Sequence, residues 1–294
     1  MHIETFFDER TSTLTYVVFD EITKDAVVID PVLDFEPSSG RLWTESLEKL
    51  VQFIDVNSLK LHWVLETHVH ADHLSGSDWL KSRYGAKLAI SRRVTEVQTV
   101  FQGLFDLSDL KTDGSQFDRL VSDGEALQAG SLAIEVRATP GHTPACTSYV
   151  VGDAVFTGDA LFLDDVGVGR CDFPKGDAAA LYDSVTKKLW TLPDATRVFV
   201  GHDYPPAGGR SWKASTTIGD SKRKNVQLNI EITGPQFVER RTARDRGLSA
   251  PRLLYPSVQV NVDAGRLPGP GPHGQRFLKL PVQALKPEAG VARP

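Results

Sequence analysis

The sequence predicts a mixed α/β protein built as two similar layers packed against each other, and three observations lead there. Short β-branched and aromatic runs alternate with helical apolar stripes along most of the chain. The succession of strands, helix, strand, helix, strand and helix gives way to a second round of strands and helices, which suits two packed mixed layers better than one parallel sheet. Of the 294 residues, 40% are hydrophobic and 24% charged, ordinary globular composition that excludes disorder, collagen-like repeats and coiled coil. At roughly 150 residues per domain the chain suits one large or two modest domains. No linker divides it, so a single domain over residues 1–294 is expected, with a C-terminal helical and surface-wrapping extension from about 220 to 294.

The elements follow in order. Ile3 to Phe7, Leu14 to Phe19 and Ala26 to Ile29 read as strands separated by polar turns, the third ending in Asp30-Pro31. Trp43, Leu47, Leu50, Val51 and Ile54 fall at i, i+4, i+7, i+8 and i+11, one stripe of a helix. Leu61 to Leu65 is a buried strand running into Thr67-His68-Val69-His70-Ala71-Asp72-His73. Gly76 to Tyr84 and Arg92 to Phe101 read as helices flanking a strand at Lys87 to Ile90, and Gln102 to Gln116 as a loop. Leu132 to Val136 leads to Thr139-Pro140-Gly141-His142, and Thr147 to Val151 pairs with Ala154 to Thr157 across Gly152-Asp153, ending in Gly158-Asp159. Ala178 to Trp190 is helical, and Arg197 to Val200 is a strand running into Gly201-His202-Asp203-Tyr204. The stretch from about Asp220 to Phe237 reads as polar and partly helical, and the chain from Pro256 as a Pro- and Gly-rich surface wrap.

Charge and cysteine usage narrow the partners. Lys and Arg number 33 against 38 Asp and Glu, a formal charge of −5, so no basic footprint for nucleic acid exists. No apolar run approaches the roughly 18–20 residues a membrane helix needs. Met1-His2-Ile3-Glu4-Thr5 resembles neither a secretory signal nor a transit peptide. Two cysteines, Cys146 and Cys171, are too few for a disulfide framework, and a cytoplasmic protein is expected. Cys171 lies near the expected cleft, where a lowered thiol pKa is one option and an inert buried thiol the other.

Five of the eight histidines lie in or just after loops that close strands: His68, His70, His73, His142 and His202. Asp30 and Asp159 sit in the same kind of loop. An extended His68-Val69-His70 places both rings on one side, and a turn at Ala71-Asp72-His73 folds a carboxylate and a further imidazole back toward them. Imidazole with carboxylate suits Zn, Fe, Mn or Co. Lone histidines such as His2, His62 and His273 are read as ordinary packing residues.

On these residues, Asp30, His68-x-His70-x-Asp72-His73, Pro140-Gly141-His142, Thr157-Gly158-Asp159 and Gly201-His202-Asp203-Tyr204, the chain resembles the metallo-β-lactamase superfamily. The resemblance implies an αββα sandwich with the metal at one rim. Pro140 to Cys146, Thr157 to Leu161, Gly169-Arg170-Cys171-Asp172-Phe173 and the His-Asp-Tyr ending look like the persulfide dioxygenase branch, whose relatives include the glyoxalase II thioesterases. That branch implies one Fe(II) per chain held by His68, His142 and Asp159, a two-histidine-one-carboxylate face, with His70, Asp72, His73, His202 and Asp30 around it orienting ligands and waters. It implies oxidation of glutathione persulfide by O2 and water to sulfite and glutathione.

Glutathione carries two carboxylates, so cations are expected around the site. Arg170, Lys222 and Arg223 are candidates for them, and Tyr182 and Tyr204 for hydroxyl contacts. A homodimer is the candidate assembly. Two alternatives stand beside this reading: a dinuclear thioesterase of the glyoxalase II kind, and a catalytically silent binding protein on the same fold. The complete set of metal-type residues argues against the last.

Overall fold

The computed structural model describes residues 1–205 and 208–282. In chain order it forms β1 (His2–Asp8), β2 (Thr13–Phe19), β3 (Asp25–Ile29), β4 (Val32–Glu36), β5 (Arg41–Trp43), α1 (Glu45–Val56), β6 (Lys60–Leu65), β7 (Leu74–Ser75), α2 (Ser77–Tyr84), β8 (Lys87–Ser91), α3 (Val94–Phe105) and β9 (Arg119–Val121). The second half holds β10 (Ala126–Ala129), β11 (Leu132–Ala138), β12 (Thr147–Val151), β13 (Ala154–Phe156), α4 (Ala178–Lys187), β14 (Arg197–Phe199), β15 (Ser215–Thr217), α5 (Ile218–Lys224), α6 (Gly234–Asp245) and α7 (Leu254–Asn261).

The first half supplies a sheet in the order β1-β2-β3-β6-β8-β9 and the second a sheet in the order β10-β11-β12-β13-β14-β15. Residues on β2 take turns between two cores, as the pleat requires. Leu14, Tyr16 and Val18 face the second sheet and meet Ile134, Tyr149 and Phe156. Val17 and Phe19 face outward, under the buried stripe Leu47, Leu50 and Ile54 of α1. Burying each of those three side chains contributes about 1.5–3 kcal/mol. On the far side Leu181 and Val185 of α4 cover the second sheet. Helix, sheet, sheet and helix therefore stack as an αββα sandwich.

Within the first sheet β3, β6, β8 and β9 run parallel, and in the second β13 and β14 do. The loops leaving β3, β6, β13 and β14 consequently emerge on one rim.

Several local expectations need correcting. Trp43 belongs to β5 and not to the helix; it pairs with Asp34 of β4, beneath the guanidinium groups of Arg10 and Arg41. β4, β5 and β7 form a third, small sheet that the apolar pattern did not reveal. Helix α3 runs on to Phe105, and Ala178 to Trp190 splits into α4 and a 3-10 turn at Leu189–Thr191. Residues 266–282 carry no helix or strand and are largely exposed, and 283–294 lie outside the described residues, but Pro256 lies inside α7 and not in a surface wrap. It occupies the first turn, where a missing N–H costs no helical bond. Val258, Val260 and Val262 are buried in the core that also holds Leu74.

Candidate metal centre

Each side chain of the site is delivered by a strand end. Asp30 follows β3 with φ +50, a left-handed conformation that Asp tolerates better than most residues. Its carboxylate accepts from Thr67 N at 2.8 Å and Thr67 Oγ1 at 2.7 Å, tying the loop after β3 to the loop after β6. Gly158 precedes Asp159 with φ +49, and a Cβ there would overlap the Thr67 side chain. A Cβ on Gly201 would sit 2.7 Å from Asp159 Oδ1. These two glycines let the three loops close on one another.

The rings are oriented by their second nitrogens. His142 Nδ1–H donates to Arg170 O at 2.6 Å, His73 Nδ1–H to Leu74 O at 3.1 Å and His202 Nδ1–H to Ser12 O at 3.2 Å. Because the Thr67 hydroxyl donates to Asp30, its oxygen accepts from His68 Nδ1–H at 3.0 Å. All four rings therefore present Nε2 as a lone pair to the site. His70 is reversed: its Nε2 lies 3.1 Å from Asp30 Oδ1 and 3.4 Å from Glu66 Oε2, leaving Nδ1 for the site.

The donor atoms form groups. One atom each from His68, His142 and Asp159 lie within 4.8 Å of one another, and so do atoms of His70, Asp72 and His73, and of Asp30, Glu66 and His70. His202 Nε2 sits 3.2 Å from Asp72 Oδ2 and 3.4 Å from Asp159 Oδ1. His68 Nε2, His70 Nδ1, Asp72 Oδ2, His73 Nε2, Asp159 Oδ1 and His202 Nε2 are all buried, yet none makes a well-aligned hydrogen bond. Buried polar atoms are seldom left so. Six of them converging, all imidazole nitrogen or carboxylate oxygen, fit a divalent transition-metal ion.

At two of the rings electrostatics agrees with that fit. Burial, then the nearby His70 and His142, drives His68 well below the ordinary histidine range. Burial with His70 lowers His73 to about 4. Both stay neutral at pH 7, the form that binds metal. Burial also pushes His70 and His202 down, but Asp30 and Glu66 at the first, and Asp72 and Asp159 at the second, outweigh it and raise both.

A cavity of about 280 Å³ opens over this set, with Asp72, His142 and Asp159 at its floor and Arg10, Arg170, Arg252 and Tyr204 around it. Arg170 gives Nε and Nη2 to Asp172 at 2.6 Å each and Nη1 to Ser249 O at 2.7 Å, over the ring of Phe173. Tyr204 stacks on His202 at a centroid distance of 5.7 Å.

Three expected substrate contacts do not line this cavity. Tyr182 packs on Phe237 of α6, Lys222 pairs with Asp194 at 2.6 Å, and Arg223 pairs with Asp220 at 3.1 Å. Cys171 does not have the lowered pKa weighed above: burial and then Asp245 push its thiol up. Sequence reasoning missed Glu66, Asn261, Arg10 and Arg252. For Glu66 a signal existed, an acid closing an apolar strand just before the histidine run; the others carry no local motif.

Fold and site define a metal-dependent enzyme, and the chain belongs to the metallo-β-lactamase superfamily, whose family model matches residues 9–202. It is similar to a probable metallo-hydrolase of Burkholderia pseudomallei, 47% identical over 97% of this chain and 100% of that one. It is 36% identical to the mitochondrial persulfide dioxygenase ETHE1 of Bos taurus, over 88% of this chain and 87% of that one. Among solved structures, ETHE1 from Myxococcus xanthus superposes with a TM-score of 0.74 at 34% identity, covering 90% of this chain and 100% of that one. Among the described residues no helix is long and apolar enough to cross a membrane.

Proposed function

We propose that the protein is a mononuclear non-haem iron dioxygenase that converts glutathione persulfide, O2 and water to glutathione and sulfite. The observation that carries this reading is the His68–His142–Asp159 group at the cavity, a two-histidine-one-carboxylate set within 4.8 Å. Such a face leaves coordination positions open for substrate and O2. The similarity to persulfide dioxygenases supports it. Fe(II) would supply the redox chemistry, which Zn²⁺ at the same ligands cannot.

The protein's own residues bind and orient. His142 is aimed by the Arg170 carbonyl and His68 by Thr67. Arg170 uses three of its five N–H groups within the protein, and the other two are available to a substrate carboxylate. Arg10 and Arg252 line the same cavity, the first paired with Glu45 at 2.7 Å and the second with Glu36 at 3.3 Å, and a thiol carrying more than one carboxylate would compete for these guanidinium groups. A cytoplasmic setting, and glutathione and its persulfide as partners, belong to this proposal.

A second reading, a dinuclear thioesterase, has its own support. Asp72, His73 and His202 offer donors for a second ion, and the relative at 47% identity is named a hydrolase. One experiment separates the two. Protein purified without added metal is assayed for metal content, for O2 uptake and sulfite release with glutathione persulfide, and for hydrolysis of S-lactoylglutathione. The dioxygenase predicts near one iron per chain and sulfite matched to O2; two metals per chain with anaerobic thioester cleavage and no sulfite would overturn it. Within the dioxygenase, alanine at His68, His142 or Asp159 abolishes iron binding, while His73→Ala retains most of it.

A further inference from the structure

The turn that carries His70, Asp72 and His73 is fastened from a part of the chain far beyond the family motifs. Asn261 is the last residue of α7 and is buried, 5% exposed. Its Nδ2 donates to His70 O at 2.9 Å and to His73 O at 2.8 Å, and its Oδ1 accepts from Ser75 N at 2.8 Å. One amide thus uses both N–H groups and its oxygen on the two ends of a single turn. A turn has no ladder of its own to fix it, so its carbonyls need partners of this kind when buried.

The surroundings make the fastening stiff. Val258, Val260 and Val262 anchor α7 in the core shared with Leu74. Beyond the helix, Gly265 with φ +81 lies so close that a Cβ there would be 2.9 Å from Ser75 O. Ser75 in turn gives its hydroxyl to Glu66, whose other oxygen faces His70. The turn is therefore held from α7 on one side and from the end of β6 on the other.

We propose that Asn261 is a positioning residue of the metal centre, setting the placement of His70, Asp72 and His73 by clamping the His70 and His73 carbonyls together. The role concerns the turn beside the metal, whose three side chains would be ligands of a second ion in a hydrolase and would orient ligands and water around the single ion in a dioxygenase. Groups that orient metal-binding side chains change metal affinity by about 10- to 100-fold when removed.

The test uses the full-length protein loaded with Co(II), followed by its d–d absorption and by chelator competition. Asn261→Ala is compared with Val260→Ala, which removes buried volume from the same helix but no hydrogen bond to the turn. Asn261→Ala is expected to bind Co(II) at least tenfold more weakly with an altered d–d spectrum, while Val260→Ala loses thermal stability with affinity and spectrum unchanged. If Asn261→Ala does not fold, Asn261→Leu carries the test, since it fills a similar buried volume but can neither donate to the two carbonyls nor accept from Ser75 N. Wild-type affinity and spectrum in the Asn261 variant, or an equal loss in Val260→Ala, would overturn the proposal. Wild-type protein that binds no divalent metal would overturn the metal centre itself, a separate result from a failed O2-uptake assay.

Discussion

His142 shows how a single ring depends on its neighbours. Its Nδ1–H is spoken for by the Arg170 carbonyl, and the Cys171 N–H next along donates to Asp245 at 2.9 Å, itself paired with Arg241 of the same helix. Arg170 therefore has two separable roles, a backbone one toward His142 and a side-chain one toward the cavity. Arg170→Ala keeps the carbonyl, so iron content is expected to stay at wild type while the KM for glutathione persulfide rises. The loss of a charge-assisted hydrogen bond, about 1.5–3 kcal/mol, corresponds to roughly tenfold to a hundredfold. Lysine should recover little, because it cannot reproduce the planar fork; unchanged kinetics in the alanine variant would confine the side chain to its pair with Asp172. Cys146 gives a second check at this scale. Burial pushes its thiol up to about 12, so folded protein should resist an aromatic disulfide reagent at pH 8 that titrates both cysteines after unfolding. Rapid reaction of either in the native state would contradict the packing. The histidines were legible in the sequence because residue type and spacing sit within a few positions. Asn261 was not, since its partners His70 and His73 lie 191 and 188 residues away. Tyr182, Lys222 and Arg223 follow the motifs in sequence, but the order along a chain does not say which face of a helix meets the cavity.

At the scale of elements, the strands were the most readable part. β2 and β3 alternate between two apolar cores, so both their faces are apolar and the run stands out. β4 and β5 were hidden because Asp34, Glu36 and Arg41 interrupt the pattern, and Asp34 is there to hold the start of α1 by accepting from Ser46 N at 2.8 Å. Asp25 joins elements of the two sheets in a comparable way. Its carboxylate accepts from His62 Nε2 at 2.7 Å and from Ser131 N at 2.8 Å in the turn between β10 and β11. His62, then Ser131, hold its carboxyl well below the ordinary value of 3.8. A depressed carboxyl stabilises the fold above the unfolded-state pKa, and that contribution fades as pH falls toward the folded one. Asp25→Ala is expected to cost about 1–3 kcal/mol at pH 7, and the gap to wild type should narrow below pH 4 in urea titrations. A gap that stays constant from pH 7 to pH 3 would mean that the charge contributes nothing.

At the scale of the whole molecule, two packed layers were legible because the strand-and-helix pattern occurs twice. The strand order was not, since pairing β3 with β6 or β13 with β14 joins segments separated by a helix; the αββα arrangement came from family resemblance. That arrangement has a thermodynamic consequence. His68, His70, Asp72 and His73 come from the first half and His142, Asp159 and His202 from the second, so an ion bound by His68, His142 and Asp159 links the two sheets across the rim. Binding to the folded state alone stabilises by about 2.7 kcal/mol at a free metal concentration of 100 times Kd. For a chain of this size that is on the order of 5 °C in Tm. Chelation should therefore lower Tm by about that amount, with amide exchange rising in the rim loops of both halves together. Restoring Fe(II) or Zn²⁺ should recover the Tm, because either ion accepts the same donors. Only the iron form should then consume O2 with glutathione persulfide, which separates the structural role of the ion from its redox role. Protection lost in one half alone on chelation would show that the ligands do not act as a bridge; O2 uptake by the zinc form would remove iron from the reaction.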